Sequence, residues 1–236
     1  IISEGSYNDA TNIISTFSSY KNPQTGNAKP ELSAPGENVT AGGHTMSGTS
    51  MSSPHAAAFA ADLTEAYTWL KLKPYYIKAF MMAGATKSIS GGYDKVGLGG
   101  IDFYDSYYSG TNTWWEGQNN SYSYFDSIDS QPNNGYIERQ VYLSSSLSRV
   151  RVVLAWMNRG YYTYAHRTDA HSIGMDMDMY IYAPNGSYVG GSASWDNPFE
   201  AVTFDPTVSG TYTIRIRRYA NRDTYSKLHM GVSISW

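Results

Sequence analysis

A serine that lies just before a helix-forming run is the clearest candidate for chemistry in this sequence. Residues 48–55 read GTSMSSPH, and a run rich in alanine follows at 56–61. This run predicts a buried helix with Ser50 in its first turn. Because the first amides of a helix lack partners inside it and the aligned peptide dipoles make that end positive, an oxyanion beside Ser50 would be stabilised. The pattern indicates acyl transfer, and its alternative is a Ser/Thr-rich helix cap.

Residues 48–55 resemble the nucleophile motif of the subtilisin-like serine proteases (subtilases), Gly-Thr-Ser-Met-Ala-x-Pro-His. The only departure is Ser52 in place of alanine. The resemblance implies that Ser50 is the nucleophile and that its own amide is one oxyanion donor. It also implies motif and backbone-support roles for Gly48, Thr49, Met51 and Pro54. Further segments follow in the order seen in subtilases: FSS at 17–19, KPEL at 29–32, APG at 34–36 and GLGGID at 97–102.

A serine nucleophile needs a base to accept its proton and a carboxylate to orient that base. The only His and Asp before Ser50 are His44 and Asp9, and neither lies in the context that subtilases use. An Asp9–His44–Ser50 triad is therefore a minor alternative, and the motif histidine, His55, is interpreted as structural. The resemblance implies that the triad His and Asp, with the side-chain oxyanion donor, lie upstream of Ile1. We expect an N-terminal portion of the same protease as a partner, and we expect these 236 residues alone to be inactive.

The sequence pattern changes after the first hundred or so residues, from mixed helical and strand-like segments to alternating segments separated by turns. Residues 1–110 are predicted to be the C-terminal portion of a subtilisin-like α/β domain with a parallel sheet, including a second helix that begins at Pro74. Residues 111–236 are predicted to form an all-β sandwich or jelly-roll domain. The latter contains an apolar strand segment at 150–156, alternating segments at 177–182, 211–217 and 227–236, and an APNG turn at 183–186. It resembles the β-modules appended to many bacterial subtilases.

Two acids in the second region form a candidate metal site. Asp176 and Asp178 are two residues apart and share a strand face, so they could bind a structural Ca²⁺, although paired acids on a strand are more often solvated. Further oxygen ligands could come from Asp196, Asn197 and Glu200. The proposed chemistry itself requires no cofactor. Trp114, Trp115 and Trp195 could stack on sugars or on a protein substrate, but packing is the favoured interpretation.

Composition narrows the function classes. The net charge is −3 with 16% charged residues and no long basic run, which argues against nucleic acid as a partner. The sequence has no stretch of 18 apolar residues, so it predicts no membrane-spanning helix. It also has no cysteine. This weakly charged, tyrosine-rich composition is typical of a secreted enzyme. The first hypothesis is a serine endopeptidase acting on peptides or proteins, and the alternative is a binding or stabilising β-module of a degenerate or inactive subtilase.

Overall fold

The computed structural model describes residues 2–21, 29–86, 88–111, 128, 130–157, 173–222 and 228–236. The chain divides into two compact units. The first unit comprises Ile1–Lys73 and Phe80–Tyr108, and the second comprises Pro74–Ala79 and Ser109–Trp236. The predicted combination of helices with several sheets and a β-rich C-terminal part is confirmed. The boundary near residue 110 and the sandwich arrangement stay predictions.

A small sheet lies at the centre of the first unit. Its middle strand, β1 (Glu4–Asn8), pairs antiparallel with β2 (Ile13–Ile14) and parallel with β3 (Leu32–Pro35). The parallel register places Tyr7 opposite Pro35, so that β1 and β3 end at the same edge. Parallel strands are buried by helices packed against them, and α1 does this for β1 and β3.

Among the described residues, a hairpin and four helices with defined bounds follow the sheet. Strands β4 (Val39–Ala41) and β5 (His44–Met46) are joined by two glycines with φ of 57° and 79°, as a tight two-residue turn requires. The helices are α1 (Thr49–Ala66), α2 (Pro74–Ala83), α3 (Tyr93–Val96) and α4 (Phe103–Thr111), with a 3-10 turn at Thr68–Leu70. The predicted start of a helix at Pro74 is confirmed.

Helix α1 is buried on one side only. Its buried residues, Ser52, Ala56, Phe59 and Leu63, follow the spacing of one helix face, which packs on β1 and β3. The other side, with Ala57, Ala58 and Ala61, is exposed, so the described residues cover only one face of the helix.

The second unit is built from antiparallel strands. They are β6 (Tyr136–Leu143), β7 (Val150–Met157), β8 (Met175–Tyr182), β9 (Tyr188–Ser192), β10 (Phe199–Phe204), β11 (Gly210–Asn221) and β12 (His229–Ser235). One sheet has the order β10-β7-β12, and the other has the order β6-β11-β8-β9. The four strands predicted from alternating or apolar segments correspond to β7, β8, β11 and β12.

The predicted turn between β8 and β9 is also confirmed. Gly186 has a φ of 82°, and its N–H donates to the carbonyl of Ala183 at 2.8 Å. Along β11 the side chains alternate, with Tyr212, Ile214 and Ile216 buried and the residues between them facing outward. Among the helices that the structure describes, none is long and apolar enough to cross a membrane.

Candidate active site

The start of α1 lies at the edge where the two parallel strands end. The N–H of Gly36, the residue after β3, donates to the carbonyl of Tyr7 at 3.0 Å, and the N–H of Gly48 donates to the carbonyl of Gly36 at 2.7 Å. These two hydrogen bonds connect the helix start to the ends of both strands. In sheets of parallel strands, functional sites lie at the carboxyl ends of the strands. The fold thus brings the GTS segment to the edge where chemistry is expected.

Gly36 permits this close approach because it lacks a side chain. A Cβ at this position would lie 2.5 Å from Ser6 Oγ, 2.6 Å from Ser52 Oγ and 2.8 Å from the carbonyl oxygen of Gly48. All three distances are shorter than a van der Waals contact, so only glycine fits without movement of the helix start. The APG segment that precedes the hairpin is therefore a structural requirement of the site.

The first turn of α1 offers backbone donors to a ligand. Gly48 precedes the helix in an extended conformation and provides no side-chain cap. The N–H of Met51 bonds to the carbonyl of Gly48 at 2.9 Å, whereas the amides of Thr49 and Ser50 have no carbonyl partner inside the helix. Both Thr49 and Ser50 are exposed. The Ser50 amide is thus where the motif predicts an oxyanion donor.

Two further motif residues shape this turn. Pro54 lies inside α1 and has no N–H, so the carbonyl of Ser50, four residues earlier, receives no helical hydrogen bond from it. Ser52, which replaces the alanine of the subtilase motif, is fully buried, and its hydroxyl donates to the carbonyl of Thr49 at 3.2 Å. The extra hydroxyl is accommodated because it has this local acceptor.

The hydroxyl of Ser50 has no hydrogen-bond partner among the described residues. Within the part of the chain that the structure describes, its Oγ makes no hydrogen bond, and none joins Asp9, His44 and Ser50, which are all exposed. His55 instead donates through Nδ1 to the carbonyl of Met51 at 2.8 Å, within its own helix. This bond agrees with a structural role for His55, and the described residues place no hydrogen-bonded base at Ser50.

Residues 1–106 match the subtilase family. The family model, Peptidase_S8, covers the sheet, the hairpin, α1 and the GTS segment, and it stops before the first strand of the second unit. The predicted relationship to subtilases is thereby supported for the first region of the chain.

Solved structures resemble the chain weakly. PliG from Aeromonas hydrophila, a periplasmic inhibitor of g-type lysozyme, is 10% identical over 44% of this chain and 76% of that chain, with a TM-score of 0.25. The family 32 carbohydrate-binding module of EndoD from Streptococcus pneumoniae is 15% identical over 44% and 71%, with a TM-score of 0.25. A protein from Sulfurospirillum deleyianum, GEBA250068378, is 12% identical over 46% and 93%, with a TM-score of 0.27. Likenesses at this level support no conclusion about fold or function.

The predicted calcium ligands Asp176 and Asp178 lie on β8 and are each at least 95% buried. Arg222 approaches Asp176 to 3.5 Å, and Arg217 approaches Asp178 to 3.7 Å. Burial raises the pKa of both carboxyls. In the ranges given above, no group of three or more His, Cys, Asp or Glu side chains is arranged to hold a metal ion. The arginines thus supply positive charge here, and calcium at this pair stays a prediction.

The other residues proposed from the sequence for the second region separate into different environments. Trp195 is 42% exposed, and Trp114 and Trp115 lie outside the described residues. Glu200 is fully buried on β10; it accepts hydrogen bonds from the Ser192 hydroxyl and, at 2.8 Å, from the Ser194 N–H. Burial raises the pKa of Glu200 to about 8 despite these donors.

Sequence reasoning missed one further acid, Glu4 on β1. Neither of its carboxylate oxygens has a hydrogen-bond partner in the described structure, although both are buried. Burial, with the nearby charge of Glu31 as a smaller cause, raises the pKa of Glu4 to about 8. An acid inside the short apolar segment IISEGSY was the available signal, because such a segment predicts a buried strand.

Proposed function

We propose that this chain is the nucleophile-bearing part of a subtilisin-like serine endopeptidase. The observation that carries the proposal is the position of Ser50, which is exposed in the first turn of α1, at the ends of the parallel strands and inside the segment that matches subtilases. In the proposed reaction, Ser50 Oγ attacks a peptide carbonyl while a base takes its proton. The tetrahedral oxyanion forms beside the Ser50 amide and collapses to an acyl-enzyme that water hydrolyses.

The base and its orienting acid are proposed to come from an N-terminal portion of the same protease outside these 236 residues. Support comes from the described surroundings of Ser50, which contain no hydrogen-bonded base. The exposed alanines Ala57, Ala58 and Ala61 on α1 give such a portion an apolar surface on which to pack. The reaction needs no cofactor, and the substrate is a peptide or protein.

The rest of the proposal concerns the second unit and the compartment. Its two antiparallel sheets are proposed to form a β-sandwich or jelly-roll module, in which calcium at Asp176 and Asp178 would be structural. A secreted protein is proposed from the composition, which is weakly charged and rich in tyrosine. None of these points is needed for the reaction at Ser50.

Active-site labelling tests the function directly. The intact protein that carries this chain is treated with a fluorophosphonate, and the adduct is mapped by mass spectrometry. We expect the adduct on Ser50 and its loss in Ser50→Ala. The matched control is Ser53→Ala, since Ser53 is an exposed serine on the same helix and should leave labelling unchanged. The 236-residue chain alone should not label, because no base activates its serine.

Two outcomes would reject the proposal. An intact protein with an upstream His and Asp that fails to label would favour the alternative, a binding or stabilising β-module attached to an inactive subtilase. Ser50-dependent cleavage of casein by the 236-residue chain alone would show that the base lies within it.

A further inference from the structure

The outer face of the four-stranded sheet carries a regular array of aromatic and hydrogen-bonding side chains. One cross-strand row contains Gln140, Thr213, Tyr182 and Tyr188, from β6, β11, β8 and β9 in turn. Strands are about 4.8 Å apart, so the row spans about 14 Å. Tyr188 is 62% exposed, and its ring meets that of Tyr182 edge-on with centroids 6.1 Å apart. The row is therefore long enough to contact more than one ring of a ligand.

The neighbouring row holds the platform in place through Arg215. The guanidinium of Arg215 lies between two tyrosine rings, 4.3 Å from the centroid of Tyr136 and 4.7 Å from that of Tyr182. It also bonds to Glu138, with its Nε 2.8 Å and its Nη2 2.7 Å from the same carboxylate oxygen. These contacts fix the orientation of the rings before any ligand arrives, which lowers the entropic cost of binding.

A groove of about 420 Å³ lies over this face. It is lined by side chains of β6, β8 and β11 and by the turn after β8: Glu138, Gln140, Tyr182, Ala183, Pro184, Gly186, Thr211, Thr213 and Arg215. The two charges of this lining, on Glu138 and Arg215, are paired with each other, so the groove carries no net charge. Its remaining polar groups are hydroxyls and one amide, which both donate and accept hydrogen bonds.

We propose that this groove binds a neutral oligosaccharide. Sugar rings present C–H faces that pack on a tyrosine ring, here that of Tyr182 in the groove lining, and their hydroxyls both donate and accept, as the other lining groups require. A paired Glu–Arg and a Gln amide can fix the orientation of such hydroxyls. An anionic ligand such as nucleic acid would have to displace Glu138 from Arg215, and an apolar helix would leave the polar lining unsatisfied.

Calorimetric titration of the 236-residue chain with three neutral hexasaccharides, cellohexaose, chitohexaose and maltohexaose, tests the proposal. We expect at least one to bind with a Kd of about 1 mM or tighter. Tyr182→Ala, which removes the ring, should weaken that binding by about tenfold or more, and Tyr182→Phe, which keeps the ring, should change it by less than about threefold. The matched control is Tyr104→Ala, because Tyr104 is a 68% exposed tyrosine of the first unit and should bind like the parent.

A second variant guards against misfolding. If Tyr182→Ala fails to fold by circular dichroism, Gln140→Ala on the exposed face of β6 is used, with an expected loss of about threefold to tenfold. The proposal is overturned if none of the three sugars binds, or if binding is the same in the parent and both groove variants. It is equally overturned if a sulfated heparin fragment or a casein peptide binds in the groove while the neutral sugars do not.

Discussion

Two buried glutamates, one in each unit, are held in different ways. In the first unit, neither carboxylate oxygen of Glu4 has a hydrogen-bond partner among the described residues. In the second unit, Glu200 accepts hydrogen bonds from the Ser192 hydroxyl and the Ser194 N–H. Burial nevertheless raises the pKa of both carboxyls to about 8. The comparison indicates that desolvation outweighs two hydrogen bonds in setting these pKa values.

The largest expected effect is at Ser50, the exposed serine at the start of α1. In the intact protein, Ser50→Ala should lower kcat/KM for a peptide substrate by roughly four to six orders of magnitude, because the nucleophile is lost. Ser53→Ala should stay within about twofold of the parent. The measurement is steady-state hydrolysis of a chromogenic peptide, and unchanged activity of Ser50→Ala would refute the role of this serine.

A second change tests whether Gly36 is needed for the close approach of β1, β3 and the start of α1. Gly36→Ala places a Cβ within 2.5 Å of Ser6 Oγ and 2.8 Å of the Gly48 carbonyl oxygen, so it should destabilise the first unit by about 1–3 kcal/mol. Gly48→Ala is the matched variant, since the nearest atom to its Cβ lies 3.7 Å away, and should cost less than about 1 kcal/mol. Urea unfolding, monitored by hydrogen exchange of the α1 amides, measures the free energy of unfolding of both variants. An equal loss of stability in the two would contradict the steric argument.

The third change concerns the paired carboxyl of the second unit. The pKa of Glu200 is raised by burial from 4.5 to about 8, so its protonated form favours the folded state. Its contribution to stability is complete below pH 4.5 and is lost as the pH rises through about 8. Glu200→Gln should flatten this loss, which is of the order of a few kcal/mol at most. Hydrogen exchange in β10 between pH 5 and pH 9 reports it, and an unchanged slope would show that Glu200 does not titrate in this window.

Below pH 4.5 the same variant should be as stable as the parent to within about 1 kcal/mol. The Gln amide oxygen can accept from the Ser194 N–H, and the amide N–H can donate to the Ser192 hydroxyl, which also accepts.

The last change concerns Glu4, whose carboxylate oxygens have no hydrogen-bond partner among the described residues. Its pKa is also raised from 4.5 to about 8, so its stabilising contribution is complete below pH 4.5 and is lost as the pH rises through about 8. Because the shift matches that of Glu200, Glu4→Gln should flatten the pH dependence of the first unit by a similar amount. Exchange of the β1 amides between pH 5 and pH 9 measures this, and a slope unchanged by the substitution would show that Glu4 does not titrate in this window.

The features that could be read from the sequence are local ones. The GTS segment with the alanine-rich run predicted a helix start at Ser50, Pro74 predicted a second helix, and alternation predicted strands such as β11. Each depends on residues within a few positions of one another. The position of Ser50 at the ends of two parallel strands needed the contacts of Gly36, which link distant segments.

What could not be predicted depends on long-range packing. Asp176 has the local pattern of a metal ligand, but its charge is opposed by Arg222, 46 residues later in the chain. Glu4 looks like an ordinary acid until the strand around it is buried. Patterns that identify an element do not identify its neighbours.

The hairpin that leads to Ser50 has a consequence for how the site can diversify. Its tip, Gly42 and Gly43, would meet no described atom within 4 Å even if each carried a Cβ. The chain can be lengthened at such a tip at low entropic cost, about 0.6 kcal/mol for each doubling of the loop. The length of the β4–β5 hairpin is therefore adjustable, whereas the backbone at Gly36, which precedes it, is sterically fixed. Variation in reach can accumulate there without moving the serine.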